Sequence, residues 1–84
     1  MTIAFDSNGW EDYRYWVEHD RKITKRIHSL IESTLRSPFE GIGNPEPLKH
    51  ELAGMWSRRI DGEHRFVYYV RDDYVVVVQC RYHY

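Results

Sequence analysis

MWSRRIDGEHRFVYYVRDDYVVVVQCRYHY, residues 55–84, is the stretch on which the fold turns. Met55 to Ile60 has the composition of a strand, and Asp61-Gly62 behind it is a strong short hairpin signal. Arg65 to Val70 resumes as Arg-Phe-Val-Tyr-Tyr-Val, Arg71-Asp72-Asp73 makes the next turn, and Tyr74 to Tyr84 reads as one long β-branched and aromatic strand. Three strands in sequence joined by tight turns predict an antiparallel meander. On a regular final strand Val75, Val77, Gln79, Arg81 and His83 share one face, and Val76, Val78, Cys80, Tyr82 and Tyr84 share the other, core-side face.

Working back from there, the N-terminal half changes period. Ile3 to Phe5 is a short apolar segment fit for an opening strand. Asp6, Ser7 and Asn8 are all good N-cap residues, and a first helix is expected from about Asn8 to Glu18, with Asn8 and Glu11 fitting a capping box and Trp10, Tyr13 and Val17 at helical spacing, Trp16 beside them. Asp20 is the next N-cap candidate. Ile23, Ile27, Leu30, Ile31 and Leu35 then form the apolar stripe of an amphipathic helix. Arg21, Lys22, Lys25 and Arg26 line its other side, where plain solvation is the simpler reading. An antiparallel helical hairpin follows. Ser37 to Pro47 holds all three prolines and must be a loop. Helices first and strands after give an α+β domain, two helices packed on one face of a twisted antiparallel sheet.

Composition narrows the rest. The 84 residues make a single domain, residues 1–84, with 42% apolar, 30% charged and 15% aromatic residues. The aromatics can supply a core that so short a chain otherwise struggles to bury. A single cysteine, Cys80, excludes an intrachain disulfide and a cysteine-rich zinc cage, and points to a reducing compartment. No apolar run approaches the roughly 20 residues that span a bilayer, and Met1 to Asp6 lacks signal-peptide character, so a cytoplasmic protein with no membrane partner is expected. Twelve basic against 13 acidic residues exclude a bulk polycation. Any nucleic-acid role therefore needs its cations gathered on one face.

Strand pairing suggests where that face is. Arg65 opens one strand and His83 closes the next, so their ends meet in an antiparallel pair. Arg65, Arg81 and His83 are expected at one rim of the sheet, with Arg58 and Arg59 approaching it. Rim charges commonly do no more than solvate an edge. A cluster that also holds His64, His83 and a C-terminal tyrosine fits that explanation less well. Glu46 stands between Pro45 and Pro47 on a stiffened stem, although the spacing alone favours an ordinary loop glutamate. Other chemistries fare worse. Gly41-Ile42-Gly43 lacks the context of a phosphate loop. Cys80 and His83 face opposite sides of a flat strand and lack further zinc ligands. Cys80 reads as a buried structural thiol, and Ser57 has no identifiable base.

PFEGIGNPEPLKHELAGMWSRRIDGEHRFVYYV, residues 38–70, together with the terminal CRYHY, residues 80–84, resembles the YoeB/Txe family of bacterial toxins within the RelE/ParE toxin–antitoxin superfamily. The N-terminal Trp10, Asp12, Tyr13, Tyr15 and Trp16 fit as well, so the resemblance covers nearly the whole chain. It implies a ribosome-dependent endoribonuclease that cuts mRNA in the A site and stops translation without metal or cofactor. It implies Glu46 as general base, Arg65 as phosphate-binding cation, His83 as general acid and Tyr84 beside them, with Lys49, His50, Arg58, Arg59 and Arg81 lining the RNA cleft. Its implied partners are a YefM/Axe-like antitoxin, the ribosome and mRNA, with operator DNA only through the antitoxin complex; monomer and homodimer both stay open for the free toxin. Lysines frequent before the PEP motif in that family are Ile42 and Asn44 here. A ParE-like gyrase-inhibiting toxin or a non-enzymatic binding module of the same fold are the alternatives. Translation-dependent mRNA cuts that vanish with His83→Gln separate them from a nuclease.

Overall fold

A computed structural model describes residues 1–84. Strand β1 (Thr2–Phe5) leads into helices α1 (Ser7–His19) and α2 (Arg21–Arg36). After a loop come β2 (Glu46–Pro47), a 3₁₀ turn (His50–Leu52), β3 (Trp56–Arg59), β4 (Arg65–Arg71) and β5 (Tyr74–Gln79). The strands form one sheet in the order β1-β5-β4-β3-β2. The α+β architecture is the expected one. The sheet, however, is mixed: β1 returns beside β5 in parallel, Ile3 opposite Val75, while the other pairs are antiparallel.

Each helix starts on an aspartate. The Asp6 side chain accepts the Gly9 N–H at 2.8 Å, so of the three candidate caps Asp6 is the one that caps α1, and the Asn8–Glu11 capping box is not formed. Asn8 instead donates its side-chain amide to Val78 O. Asp20 ends α1 by donating its N–H to Trp16 O and begins α2 by accepting from Ile23 N. One residue thus turns the chain between two helices. The α2 stripe is buried as predicted at Ile27 and Leu30, with Ile23, Ile31 and Leu35 half-buried against the same core. On α1 the inward face is carried by Gly9 and Trp16 rather than by Trp10 and Val17, which are 47% and 53% exposed. Close approach explains the difference: a Cβ on Gly9 would lie 2.2 Å from Val77 O. The helix lies against the β5 backbone at its one residue without a side chain.

The second correction concerns β5. Val67 pairs with Gln79 while Tyr68 pairs with Val77, so Val78 is an extra residue in a bulge. The bulge reverses the alternation beyond it. Val75, Val77 and Cys80 are all buried in the helix-facing core, and Gln79 sits in the row of Val67 on the open face. The strand stops at Gln79 instead of running to Tyr84, and Tyr82 takes a left-handed φ of 65° and is 54% exposed, not on the core side. The Asp61-Gly62 signal marks a real reversal, but a wider one than a two-residue turn. Pairing ends at Arg59 opposite Arg65, and Asp61 closes the loop by accepting the N–H groups of Glu63 and His64 at 2.9 and 2.7 Å.

Gly9→Ala is expected to destabilise the protein by about 1–3 kcal/mol, the usual cost of overpacking a close contact. Urea unfolding followed by tryptophan fluorescence measures it.

Candidate active site on the open sheet face

The face of the sheet away from the helices collects the candidate residues by register. Glu46 pairs with Ser57, Ser57 with Val67, and Val67 with Gln79, a row crossing β2, β3, β4 and β5. Two residues along, Arg59 pairs with Arg65 on the same face. The C-terminal arm, residues 80–84, leaves the helix-facing core at Cys80 and ends with Tyr84 on this face. Arg65 N–H donates to Tyr82 O at 3.0 Å, Gln79 Nε2 donates to Arg81 O at 3.1 Å, and the Tyr84 hydroxyl meets Ser57 Oγ at 3.2 Å. Tyr84 therefore reaches the strand partner of Glu46. The meeting of the Arg65 strand with the chain end, expected from the sequence, is present. It is made through a folded-back arm rather than a continued strand.

The individual side chains differ in setting. Glu46 is exposed on β2, where Pro47, with Pro45 just before the strand, leaves fewer N–H groups free at the sheet edge. Arg65 is half-buried and donates Nη1 to Asp61 O and His64 O. His83 is exposed, its ring 4.8 Å from that of Tyr84. It helps line a cleft of about 280 Å³ with Asn8, Asp12, Gln79, Arg81 and Tyr82. Lys49 and His50 are exposed at the β2–β3 connection, where Leu48 N–H donates to Met55 O. Arg59 is exposed, and its carbonyl accepts from Arg26 on α2.

Two of the expected cleft arginines lie elsewhere. Arg58 is 0% exposed, on the helix-facing side of β3, and so is not at the rim. Its five N–H donors all find oxygens. Nε donates to the Tyr68 hydroxyl, Nη1 to Ser33 Oγ and Ile42 O, and Nη2 to Ser37 O and Glu40 O. The loop that the prolines and glycines leave without regular structure is thereby tied to the sheet. Strand alternation held the signal, because Arg58 falls in phase with Trp56 and Ile60. Arg81 is half-buried with its guanidinium 3.5 Å over the Tyr15 ring and 4.7 Å from the Tyr82 ring, beside α1 rather than beside Arg65.

Electrostatics at the base of the arm follow burial. The Asp12 carboxyl is raised mainly by desolvation, against the Cys80 N–H and the Arg81 charge, which lower it. Burial, helped by Asp12, pushes the Cys80 thiol up to about 12. Asp61 is lowered: burial acts to raise it, but the N–H groups of His64 and Glu63 and nearby positive charge outweigh that. His64 was noted in the sequence only as a member of the rim cluster. It is buried, and its Nδ1 accepts the Tyr82 N–H at 2.7 Å.

A helix hairpin behind a mixed sheet, with a carboxylate, arginines and the terminal tyrosine gathered on the open face, defines a small α+β domain with a polar site opposite its helices. The chain matches the YoeB-like toxin of bacterial type II toxin–antitoxin systems over residues 5–84, and it belongs to that family. It is 61% identical to the toxin YoeB of Streptomyces coelicolor and 55% identical to that of Escherichia coli K12, over the full length of every chain involved. The YoeB/ParE toxin from Agrobacterium tumefaciens superposes with a TM-score of 0.97 at 45% identity, both chains covered completely. The toxin of the Staphylococcus aureus YoeB–YefM complex superposes at 0.92 with 44% identity, covering all of this chain and 98% of that one. No helix is long and apolar enough to cross a membrane.

Two outcomes are expected. Arg58→Met should cost at least about 2 kcal/mol in chemical denaturation, since three loop carbonyls lose their donors. Cys80 should stay unreactive toward a disulfide reagent at pH 8 until the protein is unfolded, because the thiolate is the reacting species. The sign agrees: a thiol raised from 9.0 to about 12 favours the fold fully below pH 9, and that preference is lost as pH rises toward 12. Thiol titration with and without denaturant reads this directly.

Proposed function

We propose that the open face cleaves RNA without a metal, and that the protein is a ribosome-dependent mRNA endonuclease acting in the A site. The observation that carries the reading is the Tyr84 contact with Ser57, the residue paired with Glu46. It puts the chain end and the carboxylate on one row of the sheet, with Arg65 and Arg59 two residues away.

RNA cleavage by the neighbouring 2′-hydroxyl needs three groups. A base takes the 2′-OH proton, a cation meets the charge that develops on phosphorus-bound oxygen, and an acid protonates the departing 5′-oxygen. Glu46 is the base, Arg65 the cation and His83 the acid. The O2′–P bond forms as the P–O5′ bond breaks, leaving a 2′,3′-cyclic phosphate and a 5′-hydroxyl. Tyr84 stacks on a base or orients the phosphate. Arg59, Lys49 and His50 contact flanking backbone. Arg58 leaves this set because every donor it has is spent inside the protein, and Arg81 serves the arm's seat on α1. The contributing groups lie at strand ends, in the β2–β3 connection or on the C-terminal tail, outside the buried core, where an RNA strand can reach them without unfolding it.

The partner follows from the relatives. The Staphylococcus aureus toxin occurs in a complex with YefM and as a dimer, and an antitoxin of that kind is the partner we assign here. A segment that covers the open face shields the arginines and the arm from RNA, and a disordered chain can wrap such a surface at the expense of its own ordering.

Glu46→Gln, Arg65→Ala and His83→Gln should each lower the cleavage rate by about 10²–10⁴-fold, with melting temperatures close to that of the wild type. Primer extension on mRNA after induction, with and without an inhibitor of translation, measures the cuts. Wild-type cleavage by any of the three removes that residue from the mechanism, and wild-type cuts that persist without translation refute ribosome dependence.

A further inference from the structure

We propose that His64 is a positioning residue that sets the catalytic arm, acting through a single hydrogen bond from the Tyr82 N–H to its Nδ1. The proposal rests on the endonuclease reading for its consequence in activity, although the bond itself does not.

The arm lacks what normally holds a chain end. Strand β5 stops at Gln79, and Tyr82 adopts a left-handed φ of 65°, a conformation that a tyrosine enters only under constraint. That turn sends Tyr84 over the open face to Ser57, with the exposed His83 ring beside it. Its carbonyl is held by the backbone, Arg65 N–H donating to Tyr82 O at 3.0 Å. In an ordinary antiparallel rung the Tyr82 N–H would find a carbonyl on β4. Here it finds the His64 imidazole at 2.7 Å, so a side chain replaces half of the rung. Residues on both sides of this bond reach the reacting groups at once: His83 follows Tyr82, and Arg65 follows His64.

The ring is itself fixed. It is 8% exposed. Trp16 lies edge-on to it, 4.8 Å between centroids and 73° between planes, and the same indole donates Nε1–H to Cys80 O at 2.8 Å. The His64 N–H is held by Asp61. Glu63 Oε1 lies 3.7 Å from Nε2. Accepting the Tyr82 N–H requires a lone pair on Nδ1, so the neutral ring carries its proton on Nε2, facing the Glu63 carboxylate. Trp16 and His64 together grip the Cys80–Tyr82 turn from the helix side and from the loop side.

Two substitutions separate this role from simple packing. In His64→Asn, Oδ1 stands near the place of Nδ1 and can still accept from Tyr82. In His64→Gln the side chain is closer to histidine in length, but its oxygen stands near the place of Nε2. The acceptor model ranks Asn above Gln, and a space-filling role ranks Gln at or above Asn. We expect His64→Gln to lower kcat about 10- to 100-fold with little change in KM, the usual effect of a small misplacement of reacting groups, and His64→Asn to restore most of it. Hydrogen exchange of the Tyr82 amide, read by NMR on the free protein, should accelerate in His64→Gln and stay near wild type in His64→Asn. Activity of His64→Gln equal to or above that of His64→Asn, or Tyr82 exchange unchanged in His64→Gln, overturns the proposal. Wild-type protein that cuts no mRNA overturns the endonuclease reading instead, and the exchange comparison, which needs no substrate, still decides whether the ring holds the arm.

Discussion

The buried Arg58 guanidinium is the constraint on which the β2 side of the molecule depends. A charge in the interior is expensive unless its donors are met, and no carboxylate pairs with this one. Five oxygens meet it instead: one from α2, one from β4 and three carbonyls from the loop. A methionine or leucine of similar size would fill the volume and leave those carbonyls without donors. Because the acceptors belong to segments far apart in sequence, the loop has a definite path between α2 and the sheet edge. Gly41 passes so close to this hub that a Cβ would meet Ser33 Oγ at 2.3 Å, and its φ of 123° suits only glycine. The chain then arrives at Glu46 beside Ser57 with little freedom left.

The opposite end of the site is held differently. Residues 80–84 form no regular structure, yet Cys80 is gripped at both backbone groups: Asp12 accepts its N–H and Trp16 donates to its carbonyl. Tyr82 is gripped at both of its own, by His64 and Arg65. A rigid sheet lies between two irregular segments, each tied down by buried polar side chains. Loops carried on such a scaffold can present reactive groups that no strand interior could expose. The cost is that buried polar groups tolerate little change, since an unmet donor or acceptor costs more than a met one gains.

Much of this was legible. The β-branched run at Tyr74–Val78, the i, i+4, i+7 stripe of α2 and the turn residues at Asp72-Asp73 act locally, so composition and period report them. What escaped depends on partners remote in sequence. The parallel pairing of β1 follows from where two helices return the chain. The bulge at Val78 is invisible in a string of valines, and without it Cys80 falls on the face opposite Val75 and Val77; the strand's end at Gln79 is equally hidden, and a strand continued to Tyr84 puts Tyr82 on the core side. Gly9 looked unremarkable until β5 lay against it. Within the site, the nearness of Arg65 to the chain end was readable from antiparallel pairing, whereas Arg58 was misread because arginine on a strand suggests solvent. Its phase with Trp56 and Ile60 pointed inward all along. His64 gave no signal of its own, since a backbone N–H that lacks a strand partner cannot be seen before the strand is known to end.

The openness of the face bears on the proposed chemistry. Glu46 and His83 are exposed, and Tyr84 is 42% exposed, so bulk water reaches all three. In water, opposite charges near one another gain little, and they gain much more once a bound partner displaces the solvent. A net charge of −1 also gives no long-range pull on RNA. The proposed nuclease is therefore expected to act poorly on free RNA in dilute solution. Its groups become effective when a large surface holds the mRNA strand against the sheet, fixes the 2′-hydroxyl in line with the phosphorus and excludes water. On the proposed reading, the ribosomal A site is the surface that supplies those conditions. In the proposed mechanism, dependence on the ribosome is then the counterpart of an open face, because the base, cation and acid assigned to it have no walls around them.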